Sequence, residues 1–352
     1  MKKLSDFEDE INKCSKCGLC QSVCPIYKLT GNDCAVSRGK FIMLDGVLKG
    51  DLKLNKTINK YLDLCLKCDK CSNFCPSAID VCKIFETAKY EYAQNSFWSK
   101  FVFFLESKFV FGNFLKLMKI FSDSKKRKKT QNTNLKLLYF KGCVNNIYPQ
   151  ADKFLHKLFD NSNIEIIEKD FDCCGLPFLS SGNLERFEEV KKHNLALMDC
   201  DFDYILTDCA SCESTLKKYA KAKFINLGEL VARQNIKFKF KKPIKVTFHK
   251  PCHLENDDFW LKIIENCENV EYVKMKDYDE CCGLAGEFAI KNHKISQELS
   301  KQKAQKAIAT GADYIVTTCP ACVIGLKLGL LGVKKSPKVV SLSDFLSFAS
   351  IK

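Results

Sequence analysis

No run of eighteen uncharged apolar residues occurs anywhere in the 352-residue sequence, which predicts that no helix of this chain spans a bilayer. Residues 1–10 carry no apolar signal region, so no secretory signal is expected there. No G-x-G-x-x-G turn follows a strand pattern, and no Walker motif is present. Recognisable seats for FAD, NAD or ATP are therefore lacking, and any hydride acceptor for an organic substrate is expected on another chain. What the sequence holds in excess is cysteine, 22 residues of it. A small secreted protein would use so many for disulfides. A chain of this length can bury a core without them, and clustered thiols in a reducing compartment point to metal or redox chemistry. A cytoplasmic location is expected.

The formal charge is +14. A basic balance can mark a nucleic-acid or anionic membrane partner. The lysines, however, are spread along the chain, and two anionic metal clusters of about −2 each would lower the total to roughly +10. No nucleic-acid partner is expected.

Four parts are discernible. Residues 1–92 contain ten cysteines and short helical stretches, with helices expected over 38–49 and 56–64. Residues 93–134 contain none: an aromatic-rich run, 97–121, leads into a polar linker carrying Lys125-Lys126-Arg127-Lys128-Lys129. Residues 135–240 then recur loosely as 241–352. Cys143 answers Cys252, Cys173-Cys174-Gly175-Leu176 answers Cys281-Cys282-Gly283-Leu284, and Cys209 and Cys212 answer Cys319 and Cys322, all at a spacing of about 109 residues. Asp203-Tyr204-Ile205-Leu206-Thr207 answers Asp313-Tyr314-Ile315-Val316-Thr317. Each half alternates strand with helix: strands at 135–140, 204–207, 244–248 and 314–317, and helices at 184–198 and 295–309. That alternation predicts α/β halves with mostly parallel sheets, whose sites lie beyond the carboxyl ends of the strands. There Cys209, Cys212, Cys319 and Cys322 fall.

Cys14, Cys17, Cys20 and Cys24-Pro25 follow C-x2-C-x2-C-x3-C-P, and Cys65, Cys68, Cys71 and Cys75-Pro76 repeat it. Soft thiolates suit iron–sulfur clusters. Three close cysteines wrap three corners of a cubane, and the fourth ligand comes from the other motif. One 4Fe–4S cluster is thus expected on Cys14, Cys17, Cys20 and Cys75, and the other on Cys65, Cys68, Cys71 and Cys24. A pair of zinc sites is the alternative. The long insertion between the motifs resembles the α-helical two-cluster ferredoxin domain of respiratory iron–sulfur subunits. Cys34 and Cys82 lie outside both motifs and read as buried or spare thiols.

Each later half offers one early cysteine, a vicinal pair before glycine, and a C-x-x-C. These are Cys143, Cys173, Cys174, Cys209 and Cys212, then Cys252, Cys281, Cys282, Cys319 and Cys322. Five converging thiols exceed what tetrahedral zinc uses. Glycine after the pair would let the backbone approach a large inorganic group, and the helix starting at each C-x-x-C favours thiolate. One iron–sulfur cluster per half is expected, with a zinc site or metal-free reactive thiols as alternatives.

This pattern resembles the cysteine-rich CCG domain. That domain is found twice in the B-type and D-type chains of heterodisulfide reductase, and in the iron–sulfur subunits of glycolate oxidase and lactate-utilisation systems. The full layout most resembles the glycolate oxidase iron–sulfur subunit or the D-type chain of heterodisulfide reductase. The resemblance implies an electron-transfer subunit of a flavin-dependent 2-hydroxy acid oxidoreductase. Its expected partners are an FAD-containing oxidase subunit and, on the inner membrane face, a quinone-linked partner. It also implies, as the rival reading, a catalytic chain reducing a disulfide at a noncubane cluster. The charges within 97–121 exclude a comfortable span but permit peripheral membrane contact. His249 and His253 flank Cys252 and are placed to tune a cluster there, although structural histidines are commoner. His156, His193 and His293 read as helix residues.

Overall fold

The computed structural model describes residues 2–96, 134–145, 150–159 and 162–352. The aromatic run and basic linker at 97–129 lie outside the described residues.

The first region is helical. Its longest elements are Ser37–Leu48, Lys56–Asp63 and Val81–Gln94. Asn55 caps the second of these by accepting from the Thr57 and Ile58 N–H groups, and Asp80 caps the third through the Lys83 N–H. Such caps satisfy donors that a helix start leaves free. Leu4, Phe7, Phe41, Leu44, Leu62, Ile84 and Phe85 close a core between these helices.

Two α/β halves follow. Strands β1 (Leu135–Phe140), β2 (Ile164–Glu168), β3 (Tyr204–Thr207) and β4 (Phe224–Asn226) form a parallel sheet in the order β2-β1-β3-β4. The second half repeats that order as β6-β5-β7-β8. Its strands are β5 (Phe238–His249), β6 (Cys267–Tyr272), β7 (Tyr314–Thr317) and β8 (Lys338–Ser341). A short β9 (Ser350–Ile351) adds antiparallel to β5. The expected helices appear at Leu184–Leu197 and His293–Ile308.

The halves share one core. The helix after β1, Gln150–Phe159, packs on the one after β8, Leu342–Ser347. Reciprocally, the helix after β4, Leu227–Arg233, packs on the one after β5, Asp258–Glu265. A Cβ on Gly228 would stand 2.3 Å from the Phe259 ring, so only glycine permits that approach. Two repeats that exchange the same contacts are related by a local two-fold. Trp260, stacked 4.7 Å from Phe248, fills the seam. The helical region is held to both halves by buried Lys89, whose Nζ meets Asp63 at 2.6 Å, Glu287 at 3.2 Å and the Ser180 carbonyl at 2.6 Å.

Candidate metal centres

Both C-x2-C-x2-C loops take the same unusual backbone. Lys16 and Gly18 lie at φ 57° and 83°, and their counterparts Lys67 and Asp69 at 54° and 55°. Left-handed residues in a short loop let successive N–H groups converge on an anion. Here the N–H groups of Leu19, Lys67 and Lys70 donate to the sulfurs of Cys17, Cys65 and Cys68, and those of Tyr27 and Ile26 donate to Cys24.

Two thiol-lined cavities result. The first is walled by Cys14, Cys17, Cys20 and Cys75, with Cys71 also at its edge. The second is walled by Cys24, Cys65, Cys68 and Cys71. Cys82 lines the second cavity too, 2% exposed, and its thiol hydrogen-bonds Cys65. It is buried, as expected, but far from spare. Lys40 also faces the second cavity, and its Nζ donates to the Leu64 carbonyl at 2.8 Å. Burial lowers the Lys40 pKa against the pull of the Cys65, Cys24 and Cys71 thiolates. Buried Lys67 instead has Glu86 at 3.6 Å. Lys40 shares the helical stripe of Ser37, Phe41 and Leu44, so a lysine on an apolar face was the available clue.

The ten cysteines expected as ligands in the two later halves form one string. Hydrogen-bonded thiol neighbours run from Cys143 through Cys173, Cys174, Cys212 and Cys209 to Cys319, then through Cys322, Cys282 and Cys281 to Cys252. The two sets of five anticipated from spacing are therefore each brought together, and they also join. The joint is Cys209 with Cys319, each the N-cap of its helix, Ala210–Lys217 and Pro320–Gly329, where the Ala210 N–H donates to the Thr318 carbonyl at 3.1 Å. Ten adjacent thiols cannot all ionise unaided, because each thiolate opposes the next. Metal cations remove that opposition, so the donor set fits iron–sulfur groups.

The string continues toward the helical region. Burial, then the nearby Cys252 and Cys281 thiolates, push the Cys68 thiol well up. His253 straddles this junction. Its Nε2 donates to the Lys67 carbonyl at 2.7 Å, and its Nδ1 accepts from Ser211 Oγ at 3.0 Å. Ser211 Oγ lies 3.5 Å from Cys319 Sγ.

The vicinal pairs are anchored from behind. Asn194 Nδ2 donates to the Cys173 carbonyl at 3.0 Å, Ser300 Oγ to the Cys282 carbonyl at 2.7 Å, and Ser296 Oγ to the Gly283 carbonyl at 2.9 Å. The following glycines also serve helix packing. Gly175 (φ 98°) and Gly283 (φ 85°) turn left-handed, and a Cβ there would strike the Phe187 ring at 2.6 Å or the Ser296 carbonyl at 2.6 Å. Helix packing requires them. The Gly283 N–H also donates to Cys281 Sγ at 3.4 Å, and a Cβ on Gly142 or Gly325 would lie 3.2 Å from Cys212 Sγ or Cys282 Sγ respectively.

Asp208, beside Cys209, was not singled out by sequence. Burial lifts its carboxyl to about 7, against a hydrogen bond from Ser343 Oγ. Cys34, Cys200 and Cys267 stand outside the string, and burial pushes the Cys267 thiol up to about 12. His156 and His193 lie on their expected helices, and His293 opens its own.

Comparison with known proteins agrees with this architecture. A 4Fe–4S dicluster domain matches residues 10–79, and a cysteine-rich domain matches 137–217 and again 246–327. The chain is 30% identical over 61% of its length to an uncharacterised iron–sulfur protein of Methanococcus maripaludis, covering 47% of that protein. It is 29% identical over 61% of its length to a subunit of the fumarate reductase (CoM/CoB) of Methanothermobacter marburgensis, again covering 47%. The chain thus spans about half the length of these two relatives. At 23% identity it matches "Probable glycolate oxidase iron-sulfur subunit" of Bacillus subtilis over 96% of its own length and 94% of the relative's. A hypothetical protein from Helicobacter pylori shares the fold, with a TM-score of 0.52 at 13% identity, covering 89% of this chain and 66% of that one. No helix among the described residues is long and apolar enough to cross a membrane. The chain is an iron–sulfur protein of the CCG type, a 4Fe–4S dicluster domain followed by two cysteine-rich CCG domains.

Proposed function

We propose that this chain is the iron–sulfur electron-transfer subunit of a flavin-dependent oxidoreductase acting on a 2-hydroxy acid of glycolate or lactate type. Electrons arrive from a separate FAD subunit and leave toward the quinone pool. The observation that carries the reading is the succession of hydrogen-bonded thiols from Cys143 to Cys252, whose end lies near enough to Cys68 of the second N-terminal cavity to raise its pKa. In this reading Cys14, Cys17, Cys20 and Cys75 hold one 4Fe–4S cluster, and Cys24, Cys65, Cys68 and Cys71 hold the other. Each cysteine-rich half holds a further iron–sulfur group on its five thiols. Such groups, when bound, supply one-electron steps that divide the pair a flavin receives. The chain's own part is to hold the sites adjacent in a buried, rigid frame. Lys40 and Lys67 offset thiolate charge, the loop N–H groups donate to sulfur, and Asn194, Ser296 and Ser300 orient the vicinal pairs. A seat on the inner membrane face through residues 97–129 would bring the chain to a membrane acceptor; this rests on their basic, aromatic composition.

A second reading is disulfide reduction at a cysteine-rich half. It is favoured by the likeness to a protein whose name marks it as part of a reductase. One experiment separates the two: purify the loaded chain anaerobically, then assay disulfide reduction with a strong chemical reductant beside affinity capture of an FAD protein. Capture of a flavoprotein that reduces the chain with glycolate or lactate supports relay. Rapid disulfide turnover by the chain alone, with no flavoprotein partner, overturns it.

A further inference from the structure

The two cysteine-rich halves differ at one position against their thiols. Strand β1 ends on Phe140, opposite Thr207, and strand β5 ends on His249, opposite Thr317. Phe140 and His249 therefore hold the same place in the repeat, three residues before Cys143 and Cys252 respectively. Phe140 is an apolar wall, packed with Cys173, Cys174 and Cys212. His249 is 0% exposed, and neither its Nδ1 nor its Nε2 has a hydrogen-bond partner. The ring sits with Cys282 and Cys322, and the ligand atoms of the three lie within 4.8 Å of one another.

Leaving a polar group buried and unpaired is destabilising, and ligation removes that cost. The neighbouring histidine provides the contrast. Both nitrogens of His253 are engaged, by Lys67 and Ser211, so His253 is a strut with no lone pair to give. His249 has two free nitrogens and faces the sulfurs.

We propose that His249 is a nitrogen ligand of the second half's iron–sulfur group, beside Cys282 and Cys322, so that the two cysteine-rich sites hold inequivalent centres. The proposal rests on the reading above that these halves hold iron–sulfur groups. An imidazole beside the five thiols gives the second half's group a neutral nitrogen donor that the first half's lacks. The first half, walled by Phe140, has thiolates alone.

The test uses the full chain purified anaerobically with its metals, with iron, sulfide and zinc counted, and pulsed EPR recorded on the reduced protein. The expected result is iron beyond that of two 4Fe–4S clusters, together with a histidine nitrogen coupling on one centre. That coupling changes on 15N-histidine labelling, persists in labelled His253→Gln, and is lost in His249→Phe, the residue its twin carries. The midpoint of that centre also shifts in His249→Phe. Should His249→Phe fail to fold, the labelled wild type and His253→Gln decide alone. Extra iron without histidine coupling, or coupling that survives His249→Phe, overturns this proposal and leaves the parent reading standing. Iron limited to two 4Fe–4S clusters, with or without stoichiometric zinc, overturns both.

Discussion

Lys40 offers the sharpest test of how this chain sets the potentials of its sites. Its side chain is 2% exposed and lines the cavity of Cys24, Cys65, Cys68 and Cys71. Among the described residues no carboxylate stands within ion-pair distance of it, and its Nζ donates to the Leu64 carbonyl at 2.8 Å. Its charge is therefore balanced by the thiolates. A unit charge taken at about 7 Å from the reduced centre, with an effective dielectric of about 20, contributes about 2 kcal/mol to adding one electron. That energy corresponds to about 100 mV for a one-electron couple. Lys40→Met should lower the midpoint of the second 4Fe–4S cluster by about that amount. The first should hardly move, because Lys40 is not among the residues lining its cavity. Lys40→Gln keeps a donor for Leu64 without the charge, so it should reproduce the shift if charge is the cause. The assay is an anaerobic redox titration of the loaded full chain followed by EPR. Unchanged midpoints in both variants, or an equal shift of both clusters, would refute the electrostatic assignment.

Cys75→Ser should disturb the cluster of Cys14, Cys17 and Cys20 and spare that of Cys65, Cys68 and Cys71; EPR showing the reverse would mean the fourth ligands are not exchanged between motifs. Cys82→Ala removes a thiol hydrogen bond to Cys65 and should lower the second cluster's midpoint by a few tens of mV, on the order expected for one hydrogen bond to sulfur; retained spectra with no shift in the titration would assign Cys82 to packing alone. Lys89→Met leaves Asp63 and Glu287 with Lys291 as the cation they still share, removes the donor to the Ser180 carbonyl, and should cost about 1–3 kcal/mol. Calorimetry on the loaded chain reads this as a lowered melting temperature, and an unchanged one would show that Lys89 does not lock the helical region to the halves.

Much of the architecture was legible in the residues because its signals are local. Metal-ligand spacing is read within about ten residues, and the strand at Leu135–Phe140 and the helix at Ser37–Leu48 announce themselves by apolar runs and periodicity. The repeat was visible because corresponding cysteines recur at a near-constant interval. The packing role of the glycines after the vicinal pairs was not legible, because a left-handed turn and a close helix call for the same residue type as a close inorganic neighbour.

By itself the sequence determined which thiols belong to which motif, the doubling of the cysteine-rich half and the parallel α/β plan. Each of these follows from short-range spacing and backbone preference. Only the tertiary structure decided that Cys209 meets Cys319, that Cys68 adjoins Cys252, that Lys40 and Cys82 face a cavity, and that His249 is buried with both nitrogens free. These pairings join residues up to 184 positions apart, through packing of reciprocal helices and a shared core. Such long-range contacts leave no periodicity in the chain, because packing selects for shape and volume at distant positions and not for a recurring pattern along it.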